Sequence, residues 1–146
     1  MIRALADTSV LVAAFAGPAE SAADQVLSAQ REGEFELATS PRLLAELDGV
    51  LKRPAYATPS AEGRAAAFVR QIADSSLFVP DVYDPPRATA DRSYDFLVAV
   101  ARRAGVNYVI TEDRDFASTY VRDLELLTPL EFVTALERAS FLQRAA

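Results

Sequence analysis

Five short apolar runs, each three to five residues long, alternate along this chain with longer stretches whose apolar residues recur at helical spacing. The runs are residues 2–6 (IRALA), 35–39, 77–79, 108–111 and 124–127. Runs of this length, bounded by turn residues, read as buried strands. Between and after them, residues 8–15, 19–32, 40–53, 61–74, 93–104 and 129–142 read as helices. Ser40-Pro41 provides a cap with proline at the first helical position, and Gly105 closes the helix before it. Strands that alternate with helices are joined by crossovers. The expected fold is therefore a three-layer α/β/α sandwich around a mainly parallel five-stranded sheet.

No linker, repeat or low-complexity tract divides the 146 residues, so one domain spanning 1–146 is expected. A hydrophobic share of 51% is enough to form a core at this length. Asp7 interrupts the apolar start, which leaves no run long enough for a membrane span or an ordinary signal peptide. With no Cys the chain builds no disulfides, and a cytoplasmic location is the simplest expectation.

The chemistry starts from four acids. Asp7 directly follows the first strand, Asp113 follows the fourth, Glu46 lies on the third helix and Asp95 lies in the first turn of the apolar helix 93–104. Open parallel sheets bind ligands beyond the carboxyl ends of their strands, so Asp7 and Asp113 share an edge if their strands are neighbours. Taken singly, Asp7 reads equally as a helix cap and Asp113 as a turn residue. Glu46 falls at the edge of the stripe formed by Leu43, Leu47, Val50 and Leu51, where it could simply pair with Arg42 at i, i+4. Asp95 opens a helix that is apolar almost all round, and burying an unpaired charge there would be costly.

The chain has no His, so four carboxylates point to hard oxygen ligation of Mg²⁺ or Mn²⁺. The chemistry expected of such a site is metal-assisted phosphoryl transfer without a protein nucleophile. A formal charge of −6 argues against indiscriminate nucleic-acid binding, although two divalent ions would offset four of those charges. Crowded carboxylates should raise at least one pKa, and relief of that repulsion predicts that Asp113→Asn stabilises the metal-free protein.

The segments LADTSVLV, SPRLLAELDGVLKRP, SYDFLVAVARRAGVNYVITEDRDF and LLTPLEF resemble, in order and spacing, the PIN-domain proteins, small metal-dependent ribonucleases that include VapC-type toxins. The resemblance implies strand order 3-2-1-4-5 and a ligand set of Asp7, Glu46, Asp95 and Asp113, with Asp115 auxiliary. It also implies a ribonuclease, a homodimer and, for toxin-like members, a small antitoxin in the active-site groove. Thr8, Ser9 and Thr111 are candidate hydroxyl donors, and Arg42, Arg53 and Arg114 are candidate phosphate contacts. Ser9 stands where many relatives carry Asn, and Asp91 is a weaker competitor for the place given to Asp95. Two alternatives are a PIN-like binding module without catalysis and a phosphoacceptor receiver domain. The latter needs a paired acid near the first strand and a late lysine, whereas Lys52 is the only lysine here.

Overall fold

The computed structural model describes residues 1–145. The last residue of the expected domain lies outside them. Five strands, β1 (Arg3–Ala6), β2 (Glu36–Thr39), β3 (Leu77–Phe78), β4 (Tyr108–Ile110) and β5 (Glu125–Leu127), form one sheet in the order β3-β2-β1-β4-β5, parallel throughout. The helices are α1 (Thr8–Ala16), α2 (Ala22–Arg31), α3 (Pro41–Leu51), α4 (Glu62–Ser75), α5 (Arg92–Ala104), α6 (Arg114–Ala117) and α7 (Pro129–Ala145).

Side chains alternate across the sheet and build two cores. Ala4, Ala6, Leu37 and Ile110 pack with α1, α2, α3 and α7, while Leu5, Ala38 and Val109 pack with α5. Both faces are therefore covered, as the alternation of elements requires, and each strand is apolar at successive positions.

Boundaries moved where capping chemistry outweighed apolar spacing. α2 begins at Ala22 and not at 19, because the Ser21 hydroxyl accepts the Asp24 amide at 3.2 Å and Glu20 is held at φ 66°. α3 ends at Leu51, two residues short of the expected end, and α7 continues to Ala145. The short α6 had no counterpart in the sequence reading. It begins because Asp113 caps it.

The placement that matters most is β1 beside β4, with Ala6 opposite Ile110. From β1 the chain runs through β2 to β3 on one side, then returns to place β4 on the other. The strand order reverses at this pair, where a crevice opens at the carboxyl edge.

Candidate active site

Asp7 sits at that reversal. Its amide donates to the Ile110 carbonyl at 2.8 Å, which ties the residue after β1 to the end of β4. Although Asp7 holds the N-cap position of α1, its side chain makes no cap hydrogen bond. One carboxylate oxygen, Oδ2, instead accepts the hydroxyls of Thr111 at 3.0 Å and Ser9 at 3.2 Å. Those hydroxyls in turn accept the amides of Asp113 and Glu112. Ser9 thus supports Asp7 directly and joins it to the β4 loop. Burial pushes the Asp7 carboxyl above its ordinary value, the two hydroxyls offset part of that, and the charge of Glu46 adds a smaller push in the same direction. The expected raised acid exists, but desolvation causes it more than crowding does.

Glu46 reaches the site from α3. Its Oε2 accepts the Thr8 hydroxyl at 3.3 Å, and its Oε1 accepts Nε of Arg42 at the same distance. The i, i+4 pair expected from the sequence is therefore present, yet Glu46 also bridges to the start of α1. Arg42 is further engaged, with its guanidinium 4.0 Å from the centre of the Phe96 ring.

Asp113 is fixed on two sides. Its Oδ1 accepts the amides of Asp115 at 3.0 Å and Phe116 at 3.2 Å, capping α6, and its Oδ2 accepts the hydroxyl of Tyr94. The Tyr94 bond, followed by the Phe116 amide, holds the Asp113 carboxyl below its ordinary value. Asp113 is thus a stabilised anion in this structure, which removes the basis for expecting Asp113→Asn to relieve repulsion.

Asp95 is held by the loop that enters α5. Its side chain is 0% exposed and lies in none of the contacts around Asp7. It accepts the amides of Ala88 at 2.9 Å and Thr89 at 2.6 Å, the Thr89 hydroxyl at 3.0 Å, and Nη1 of Arg92 at 3.2 Å. The Ala88 amide leads the interactions that lower its pKa. Asp95 therefore organises the loop entering α5, and the costly burial foreseen for it is answered by donors from that loop. Asp91, the weaker candidate, caps α5 through the Ser93 amide at 2.8 Å.

Two residues absent from the sequence reading belong to this region. Tyr94 is one, and the signal for it was its place one residue before Asp95, at a different angle on the helix. Glu112 is the other. It lines, with Thr8, Ser9, Glu46, Gly49 and Arg53, a cavity of about 1060 Å³ between α1 and α3. Arg53 thus faces the same opening as Glu46, whereas Arg114 lines a separate depression with Thr128 and Glu131. Asp115 is exposed on α6, and among the described residues its carboxylate accepts no hydrogen bond.

Among the described residues no three acids stand close enough to hold one metal ion between them. An all-protein cage is therefore not built here. Mg²⁺ rarely uses one, since it is commonly held by one or two carboxylates while water and substrate phosphate complete its shell. Asp7 and Glu46 fit that smaller role. Asp7 in particular is a half-buried carboxylate whose charge burial disfavours, so a cation beside it would offset that cost.

A parallel sheet in this order, with one acid directly after β1 and a second capping α6 after β4, places carboxylates at a strand-order reversal. The PIN-domain model matches residues 3–115, and the chain belongs to the PIN-domain family, whose members are generally nucleases that use divalent metals. The receiver-domain alternative is thereby set aside. Among solved structures, the fold is similar to the crystal structure of PAE2754 from Pyrobaculum aerophilum, with TM-score 0.62 and 17% identity over 94% of this chain and 96% of that one. It is also similar to VapBC2 from Rickettsia felis bound to a DNA fragment from their promoter, with TM-score 0.57 and 13% identity over 87% of this chain and 98% of that one. No curated protein sequence matches the chain.

Proposed function

We propose that this protein is a Mg²⁺- or Mn²⁺-dependent endoribonuclease centred on Asp7. The observation that carries this reading is the half-buried Asp7 carboxylate at the β1/β4 edge, oriented by Thr111 and Ser9 and felt by the charge of Glu46. Asp7 and Glu46 would hold the ion. Such an ion supplies Lewis-acid neutralisation of the phosphodiester's charge and acidifies a water for its hydrolysis. The chain's own part is orientation. Thr111 and Ser9 aim the Asp7 carboxylate, Thr8 steadies Glu46, and Arg53 offers a guanidinium to phosphate in the adjoining cavity. No His is available, so a carboxylate must accept any proton the side chains take up.

The reading extends to a toxin with a small antitoxin partner, acting as a homodimer in the cytoplasm. Its support is family membership together with the likeness to a chain from a VapBC complex. No described helix is long and apolar enough to cross a membrane. A binding module without catalysis is the second reading, favoured because among the described residues no three acids stand close enough to hold one ion. RNA cleavage by the purified protein decides between them. Cleavage should require added Mg²⁺ or Mn²⁺, stop in EDTA and be lost in Asp7→Ala. Cleavage that persists in chelator, or in Asp7→Ala, would show that the chemistry lies elsewhere.

A further inference from the structure

We infer that the cavity between α1 and α3 is a nucleotide subsite, in which an unpaired base beside the scissile phosphate lies against an apolar wall while Arg53 holds a neighbouring phosphate. This rests on the nuclease reading above and adds to it the path of the strand. The cavity, about 1060 Å³, is continuous with the carboxylate site, because Thr8, Ser9 and Glu46 belong to both. Its volume is comparable with the largest small-ligand pockets, which span roughly 300–1,000 Å³.

Each wall is one side of a helix. On α3 and the turn that follows it, Glu46, Gly49, Val50 and Arg53 keep the spacing i, i+3, i+4, i+7, so they form a row about 10 Å long that leads away from the site. On α1, Ser9, Val12, Ala13 and Ala16 keep the same spacing. The charge changes along these rows. Glu46 stands at the end shared with the site, as does Glu112, whose amide donates to the Ser9 hydroxyl. Arg53 stands at the other end, and the side chains between are uncharged. Val12, Ala13 and Tyr56 are half-buried and packed on the core, which makes the wall firm. The Tyr56 amide donates to the Arg53 carbonyl at 2.9 Å, so one turn carries both the ring and the guanidinium. Among the described residues Arg53 forms no ion pair, whereas the adjacent Lys52 is drawn to Asp48 at 2.8 Å.

An acidic end that takes an ion, an apolar middle and a basic end match the order phosphate, base, phosphate along one strand of RNA. Apolar and aromatic side chains take up bases that are free to leave their neighbours, whereas a base inside a duplex is already paired and stacked. The strand is therefore single. Gly49 supports the same reading. A Cβ there would meet nothing within 4 Å, so glycine weakens the helix without a packing reason. Its effect is to widen the middle of the cavity.

Fluorescence titration of the full chain against a short single-stranded RNA carrying 2-aminopurine, in EDTA, tests the subsite with neither ion nor cleavage. Binding should change the fluorescence of that base, and the same strand annealed to its complement should bind about tenfold or more weakly. Gly49→Leu fills the middle of the cavity and should weaken binding about tenfold with its salt dependence unchanged. Tyr56→Ala, which leaves α3 intact, should weaken binding several-fold. Arg53→Gln removes one phosphate contact, so the slope of log affinity against log salt should become shallower by about 0.7. No saturable binding by wild type, or equal binding by wild type and the folded Gly49→Leu and Tyr56→Ala variants, would overturn the subsite. So would an unchanged salt slope in Arg53→Gln. Cleavage separates this inference from the reading beneath it. Metal-dependent cleavage that is equal in wild type and Gly49→Leu would keep the nuclease and sink the subsite. The expected binding by a protein that cuts no RNA in Mn²⁺ would keep the subsite and sink the nuclease.

Discussion

The Thr111 hydroxyl donates to the Asp7 carboxylate across 3.0 Å, joining residues 104 apart in sequence at the ends of two adjacent parallel strands. That bond fixes a half-buried carboxylate at the carboxyl edge of β1. It is also the reason Asp7 tolerates burial that would otherwise be more costly.

The first prediction concerns Asp7 and pH. An acid whose folded-state pKa lies above its unfolded value binds protons more readily when folded, so stability falls as pH rises from 3.8 through the raised value. At neutral pH the charged Asp7 is thus a burden on the metal-free fold. Asp7→Asn, whose amide oxygen can still accept from Thr111 and Ser9, should melt higher than wild type in EDTA at neutral pH. That advantage should shrink as the buffer is acidified toward 3.8, the ordinary Asp value. A constant difference across the series, or a mutant that melts lower throughout, would refute the assignment.

Asp95 should behave with the opposite sign. Its lowered carboxyl contributes stability above the unfolded pKa and loses it as pH falls below 3.8 through the depressed value. Asp95→Ala should melt below wild type at neutral pH, and amide exchange at Ala88 and Thr89 should quicken because both lose their acceptor. Unchanged exchange at those two amides would mean that the loop is held by other contacts.

Two glycines should respond in opposite directions. Gly49 lies inside α3 at ordinary backbone angles, and a Cβ there meets no atom within 4 Å. Gly49→Ala should therefore stabilise by about 0.5–1 kcal/mol in urea unfolding. Gly105 adopts φ 68° at the end of α5, so Gly105→Ala should cost roughly 1 kcal/mol or more. Equal effects at both sites would contradict this geometry.

The toxin extension makes a cellular prediction. Expressed without a partner, the wild type should slow bacterial growth, and Asp7→Ala at a matched soluble level should not. Equal growth would point to a housekeeping nuclease or a binding module.

The sequence by itself determined the layered architecture. Its short apolar runs leave little choice but buried parallel strands, and the Ser40-Pro41 start and Gly105 stop are local devices that work without tertiary help. The place of Asp7 was legible, because a residue that directly follows a buried parallel strand emerges at its carboxyl edge, whereas Asp113 lies three residues beyond β4 and its place depends on the turn between. What only the tertiary structure decided is where the α5 side chains point. Tyr94 and Asp95 are adjacent in sequence, and helical spacing says only that they diverge. Which partners each of them meets depends on the roll of α5, and that roll goes with the loop amides of Ala88 and Thr89 binding Asp95 and Phe116 receiving the Tyr94 ring. The loop and the ring partner lie on opposite sides of α5 in sequence, and neither has a spacing relation to it, so the composition of α5 could not disclose the outcome. The short α6 was hidden for a related reason. Four residues carry no periodicity to read, and the helix exists because the Asp113 carboxylate stands where it can accept two of its amides.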